Sequence, residues 1–253
     1  MFWDVARSLA ILQGGKVNLP KKICVKMSLY LWIIILSFAG PFFLSFDKKI
    51  AFYKKWRFVF PSVLIVAIVF IFWDDWFTKI GVWGFTPRYI LGIYGGHLPL
   101  EEILFFIVIP YNCVFVHEVL NGYFPSLSLK KLARGFILIF GLSALALALF
   151  NLDNYYTLSA TAISFCLSAL VLKQNKAWFP RFVLTYLVCL LPFLIVNGIL
   201  TGQFTEEPVV WYSEMHIVGF RLGTIPVEDL FYNYALILPI IWIYETLKER
   251  FVN

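Results

Sequence analysis

The sequence predicts an all-α protein, a polytopic membrane bundle of about seven transmembrane helices, on three observations. Hydrophobic residues make up 61% of the chain and charged residues 14%, with a mean hydropathy of +0.81, whereas soluble domains carry about 25% charged residues. The apolar residues gather into runs of near-span length, separated by short charged or aromatic-rich loops. A short acidic motif at the head of one run recurs 127 residues later at the head of another.

The runs occupy 29–46, 58–73, 98–118, 134–150, 155–172, 181–199 and 225–247, against roughly 17–25 apolar residues for a helical span. The second is short and gains length if it extends inward over Phe52 to Trp56. Only Leu152–Tyr156 separates the fourth from the fifth, room for one sharp turn that Asn151, Asp153 and Asn154 favour. The loops at 74–98 and 200–225 are rich in Trp, Tyr, Gly and Pro and read as interfacial segments or a lid, with Trp73, Trp76, Trp83 and Trp211 in an aromatic belt.

Loop charges set an orientation. Lys48, Lys49, Lys54, Lys55, Arg57, Lys130, Lys131, Arg134, Lys173, Lys176, Arg181, Lys248 and Arg250 fall on one side, and Lys79, Arg88 and Arg221 on the other. Thirteen against three assigns the first side, with the C-terminus, to the cytoplasm. Arg7, Lys16, Lys21, Lys22 and Lys26 conflict with this, and Met27 as the natural start would remove the conflict. The first 26 residues lack a continuous apolar core, so no cleavable signal peptide is expected. The net charge of +6 comes from clusters between apolar runs and does not indicate nucleic-acid binding. Cys24, Cys113, Cys166 and Cys189 show no CxxC spacing and read as apolar fillers.

The repeated motif is Pro99-Leu100-Glu101-Glu102-Ile103-Leu104-Phe105-Phe106 and Pro226-Val227-Glu228-Asp229-Leu230-Phe231-Tyr232-Asn233. The runs it opens are separated by an even number of crossings and therefore point the same way. Spans one to three then match spans five to seven as a parallel repeat: 1–27 an N-terminal extension, 28–125 the first repeat, 126–154 a linker helix, 155–253 the second repeat. Proline suits a helix's first turn and acids complement its positive end, so a single copy could be no more than a good helix start. Two copies in a chain with 15 acidic residues point to a site, because ionisable groups are expensive in lipid. The helical period sets Glu101 beside Phe105, Glu102 beside Phe106, Glu228 beside Tyr232 and Asp229 beside Asn233. Carboxyls in an apolar pocket are pushed toward the neutral form, two close together share a proton, and ring faces attract cations. Such a site suits protonation of a carbon–carbon double bond and shelter of the resulting carbocation.

These two motifs, with Ser45-Phe46-Asp47-Lys48 and Val196-Asn197-Gly198-Ile199-Leu200-Thr201-Gly202, resemble the integral-membrane lycopene cyclase family over about residues 28–250. The likeness is to the fused form of the two-subunit enzymes and to the cyclase part of the fungal bifunctional cyclase–synthase. It implies cyclisation of the acyclic ψ ends of lycopene or related carotenoids within the bilayer, giving γ-carotene and then β-carotene without net redox change. It leaves open one-end or two-end cyclisation, β- or ε-ring product, and the final base. No cofactor is expected: Gly92-Ile93-Tyr94-Gly95-Gly96 has neither the spacing nor the context of a dinucleotide fingerprint.

The candidate catalytic residues are Glu101 and Glu228, which occupy matching places, then Glu102 and Asp229. Phe105, Phe106, Tyr232, Asn233, Asn197, Asp74, Asp75 and Trp76 are candidate substrate contacts. Asp74 and Asp75 read either as an interfacial cap or as a third acidic contribution, and Asn197 sits at the roughly equivalent place in the second half. His97 could relay protons from the aqueous side, and His216 reads as a solvated loop residue. His117-Glu118 and Tyr244-Glu245 lie about 25 Å along the helix from the acid pairs and are expected to face the cytoplasmic interface or to pair with loop cations. No metal is expected from three scattered histidines. A retinal-binding protein would need a lysine deep in the last span, which has none before Lys248. A prenyltransferase would need Asp-rich pyrophosphate motifs, and none is present. A transporter with carboxylates on repeated helices is the alternative, supported by Pro110, Pro192 and Pro239.

Overall fold

The computed structural model describes residues 28–127 and 129–252; the N-terminal extension, with Cys24 and the five basic residues before Met27, lies outside them. Seven helices form among the described residues: α1 (Leu29–Leu44), α2 (Trp56–Lys79), α3 (Leu100–Tyr123), α4 (Lys130–Phe150), α5 (Tyr155–Gln174), α6 (Phe179–Leu200) and α7 (Glu228–Val252). Six are long and apolar enough to cross a membrane, α2 together with the 3₁₀ turn Phe52–Lys55 that leads into it. The inward extension of the second run is therefore present. That run also continues outward to Lys79, placing Asp74, Asp75 and Trp76 on helix where a loop was expected. Asp74 is buried at that end, and its contacts, described below, tie the extra turn to the protein. With 16 residues α1 is shorter than the rest. Large exposed side chains such as Phe72, Ile139 and Phe150 stud the outer faces, as expected of helices whose solvent is lipid.

The shared core lies where α2, α3, α6 and α7 meet. Helix α1 packs on α3, and α5 packs on α7 and on α4. The α4–α5 connection is the expected tight turn, with the Asn151 amide donating to Leu147 O at 2.9 Å and the Asn154 amide reaching Ile217 O at 2.9 Å. Pro41 has no N–H for the carbonyl of Ser37 one turn earlier. The Asn112 amide on α3 donates to that freed oxygen at 3.0 Å and so pins α1 to α3.

The aromatic-rich loops are more ordered than the sequence suggested. β1 (Trp83–Phe85) in the first pairs antiparallel with β4 (Val210–Tyr212) in the second, with Gly84 opposite Trp211. Each β1 residue has its counterpart 127 positions later in β4, so a local two-fold axis runs through the Gly84–Trp211 pair. A side chain at Gly84 would run into the Trp211 ring. A small hairpin precedes each acidic helix: β2 (Tyr94–Gly95) with β3 (Leu98–Pro99), and β5 (Arg221–Leu222) with β6 (Ile225–Pro226). Their turns rest on Gly96 (φ +70°) and Gly223 (φ +65°), again 127 apart, where an L side chain would be strained.

Candidate active site

Each acidic motif divides into a residue that holds structure and a residue that faces a cavity. Glu101 and Glu228 are fully buried. Glu101 Oε1 accepts the Leu91 N–H at 2.7 Å and the Ser28 hydroxyl at 2.5 Å. Glu228 Oε1 accepts the Val218 N–H at 2.6 Å and the Thr157 hydroxyl at 2.6 Å. Leu91 and Val218 are also 127 apart. Both glutamates thus fasten a loop and the first helix of their half to the mouth of α3 or α7, and in both the other carboxyl oxygen is buried without a protein partner.

Glu102 and Asp229 point into a narrow pocket of about 60 Å³, to which every helix except α4 contributes. Glu102 Oε2 accepts the Tyr30 hydroxyl at 2.6 Å. Asp229 accepts from Tyr156 at 2.5 Å, from the Asn197 amide at 2.6 Å and from Tyr212 at 3.1 Å. Asp74 is the third acid: its carboxyl lies against that of Glu102 and accepts the indole N–H of Trp83. Phe105, Tyr232 and Asn233 complete the wall, and Tyr232 packs against Trp73 and Trp83 with ring centroids 4.9 and 6.2 Å apart. Tyr212 stands on the strand pair, outside the helices. Burial and the neighbouring Asp229 hold its phenol well above the ordinary value, so it remains a hydrogen-bond donor.

The pocket brings together Glu102, Asp229, Phe105, Tyr232, Asn233, Asn197 and Asp74 from the sequence candidates, and leaves out the rest. Phe106 packs behind it against Phe70. Asp75 faces the exposed His97, 3.1 Å from its ring nitrogen, because the Gly96 turn presents the His97 N–H to it at 2.5 Å. Trp76 is exposed on the outer face of α2. Trp83, expected in the lipid-facing belt, is buried, since its indole serves Asp74. His216 is half-buried and stacks on Tyr155. Sequence reasoning missed Tyr30, Tyr156, Tyr212 and Trp83 as partners of the acids. The two tyrosines near the starts of α1 and α5 were the available signal, but hydroxyl and acid lie 72 and 73 residues apart.

The second acidic positions form a separate network at the opposite helix ends. Glu118 pairs with Lys55 and, at 2.7 Å, with Lys248. Glu245 meets Lys248 at 3.1 Å and His117 at 2.9 Å. Candidate ligand atoms of His117, Glu118 and Glu245 lie within 4.8 Å of one another, but both carboxylates are already neutralised by lysines, so a cation would have to displace them. In the loop after α1, Asp47 accepts the N–H groups of Lys49 and Ile50 at 3.0 Å each, and chiefly the Ile50 bond draws its carboxyl below the ordinary value.

A family model described as Lycopene cyclase matches residues 27–120 and 153–247. The chain belongs to the lycopene cyclase family. The matched segments hold α1–α3 and α5–α7 with their loops, while α4 lies between them. No curated protein and no solved structure matched this lycopene cyclase family member. The family implies a carotenoid substrate, and the six span-length helices an integral membrane protein.

Proposed function

We propose that the chain is a lycopene β-cyclase that converts ψ end groups to β-ionone rings, giving γ-carotene and β-carotene by acid-initiated carbocation cyclisation. The observation that carries this reading is the contact of Asp74 with Glu102, opposite an Asp229 held by three donors, inside a wall of aromatic rings. Adjacent carboxyls are stable when they share a proton, so the Asp74–Glu102 pair is assigned as the donor. Its proton goes to C2 of the terminal double bond and leaves a cation at C1. The C5=C6 electrons then form the C1–C6 bond, which moves the cation to C5. Loss of the C6 proton regenerates C5=C6 within the ring, so a proton enters, a proton leaves and no electrons are exchanged.

Tyr156, Asn197 and Tyr212 complement a carboxylate at Asp229, which suits it to balance the cation and to accept the C6 proton. The faces of Trp83, Tyr232 and Phe105 suit the intermediate cation. Glu101 and Glu228 are assigned to holding the loops rather than to proton transfer. In the same reading α1–α3 and α5–α7 are two parallel repeats joined by α4, with domain limits as read from the sequence. The acid mouths then lie at the non-cytoplasmic face and the C-terminus in the cytoplasm, since Lys55, Arg181 and Lys248 gather at the other helix ends.

Expression in a lycopene-accumulating host followed by pigment analysis tests the activity; unchanged lycopene with the protein present overturns it. Turnover in deuterated water tests the chemistry. Deuterium is expected at C2 of each new ring, and unlabelled product over many turnovers would remove the water-recharged acid from the mechanism.

A further inference from the structure

A second cavity adjoins the acid pocket. It measures about 280 Å³, is mostly apolar, and shares Phe105, Phe193, Asn197 and Asn233 with the pocket. From those residues it runs down the bundle between α1, α3 and α6, past Ile109 and Cys113 on one side and Cys189 and Pro192 on the other. Helices α1 and α6 both pack on α3 but scarcely touch each other. Pro192 lines the cavity and is exposed, which makes the gap between α1 and α6 the candidate lateral way in from lipid. Opposite it the wall is held by the Asn112 bond to the Ser37 carbonyl that Pro41 leaves unpaired.

We propose that this cavity seats the linear polyene of the substrate, with the end group to be cyclised carried past Phe105 into the acid pocket. The inference rests on the cyclase reading and deepens it by assigning a specificity site. A polyene has no polar group to satisfy, which matches a lining that is mostly Phe, Ile, Val, Cys and Pro, its polar side chains limited to Ser37, Asn112, Asn197 and Asn233. A lipid acyl chain is equally apolar, but it has no use for continuity with three carboxyls; the four shared residues favour the substrate. The acid pocket alone, at about 60 Å³, holds a few waters. The end group therefore enters by displacing Phe105 and Phe193, the two large side chains common to both spaces. With one acid cluster at the end of one channel, each binding event presents a single end group.

Two measurements test the seat. Cys113 lies eleven residues below Glu102 on α3, about 16 Å away at the helical rise, so Cys113→Phe narrows the channel without touching the acids. Filling a packed site costs enough to lower kcat/KM for lycopene about tenfold, while a truncated analogue carrying one ψ end on a short tail should be turned over as by the wild type. Equal turnover of lycopene by both proteins overturns the proposal. If Cys113→Phe loses both activities, the second measurement decides.

In Glu102→Gln, where bound lycopene is consumed only slowly, labelling of each cysteine by a small membrane-permeant maleimide is followed by mass spectrometry with and without lycopene, over times long enough for the buried Cys113 and Cys189 to react in the lycopene-free protein. Lycopene should slow labelling of Cys113 and Cys189 several-fold and leave the exposed Cys166 unchanged. Conversion of lycopene by the wild type with unprotected Cys113 and Cys189 means that the polyene lies elsewhere and overturns the proposal. Failure of the wild type to convert lycopene under any condition instead removes the cyclase reading itself.

Discussion

Helices α1–α3 and α5–α7 present the same acidic motif at the mouths of α3 and α7, yet surround it differently. In the first half α2 supplies Asp74, so Glu102 faces another carboxyl. In the second α6 supplies Asn197, so Asp229 faces an amide and two phenols. The helices below diverge as well. Ile109 and Cys113 line the larger cavity, whereas Leu236, 127 positions after Ile109, lines only the narrow acid pocket and Ile240, the counterpart of Cys113, is fully buried. In the same core the rings of Phe70, Trp73 and Tyr232 pack together, with centroids 4.9–5.2 Å apart. The doubled motif thus supplies two equivalent carboxyl positions, and the neighbour on the preceding helix sets them apart. Two carboxyls in contrasting environments are the general basis for separating acid from base.

The comparison can be broken most severely at Glu102. Glu102→Gln preserves shape but removes the proton donor, so turnover should fall by about 10²–10⁴-fold with helical content intact by circular dichroism. Near-normal pigment formation would return the acid role to Glu101 or Glu228. Exchanging the neighbours, Asp74→Asn with Asn197→Asp, should also abolish most turnover, because Asp229 would then face a carboxyl and Glu102 an amide. Retained activity in this double variant would show that the two halves are interchangeable.

A smaller effect is expected at the anchoring pair. Glu228→Ala leaves the Val218 N–H and the Thr157 hydroxyl without their acceptor, which should lower stability by about 1–3 kcal/mol. The thermal midpoint in lipid or detergent should fall while the pH–rate profile keeps its shape. A displaced profile would instead make Glu228 part of the proton path. Gly84→Ala sets a methyl against Trp211 and should cost about 1–3 kcal/mol of stability by overpacking, read from the same midpoint. No change there would mean that the β1–β4 junction is slack enough to absorb the group. The smallest effect concerns Arg88 and Glu206, which join the two loops through exposed side chains. Arg88→Ala should leave both midpoint and turnover unchanged, since exposed ion pairs contribute little; reduced turnover would give the loop clamp a role in closing the site.

Much of this was legible in the residues. The apolar runs sit within a few positions of the helices because lipid burial requires length and hydropathy, and both are local properties of the chain. The family match falls on α1–α3 and α5–α7, the segments that carry the doubled motif. Misreadings arose where a short stretch was polar for a tertiary reason. Asp74-Asp75-Trp76 looked like the end of a span, but α2 continues because the first acid is buried against Glu102 and Trp83. Trp83 looked like a belt residue because its partner on α2 is invisible to hydropathy.

The sequence alone determined that paired carboxyls open two long apolar helices, and that they stand among aromatic residues. Periodicity and charge are carried by neighbours along the chain, so no folded structure is needed to read them. It did not determine which carboxyl of each pair is free to act. Positions 101 and 102, or 228 and 229, differ by about 100° around a helix, and only packing shows which direction meets a loop amide and which meets the pocket. The tyrosine donors, the Asp74–Glu102 contact and the cavity below Phe105 were likewise decided by tertiary structure. Each joins side chains on different helices, and the distance between helices is written nowhere in the order of residues.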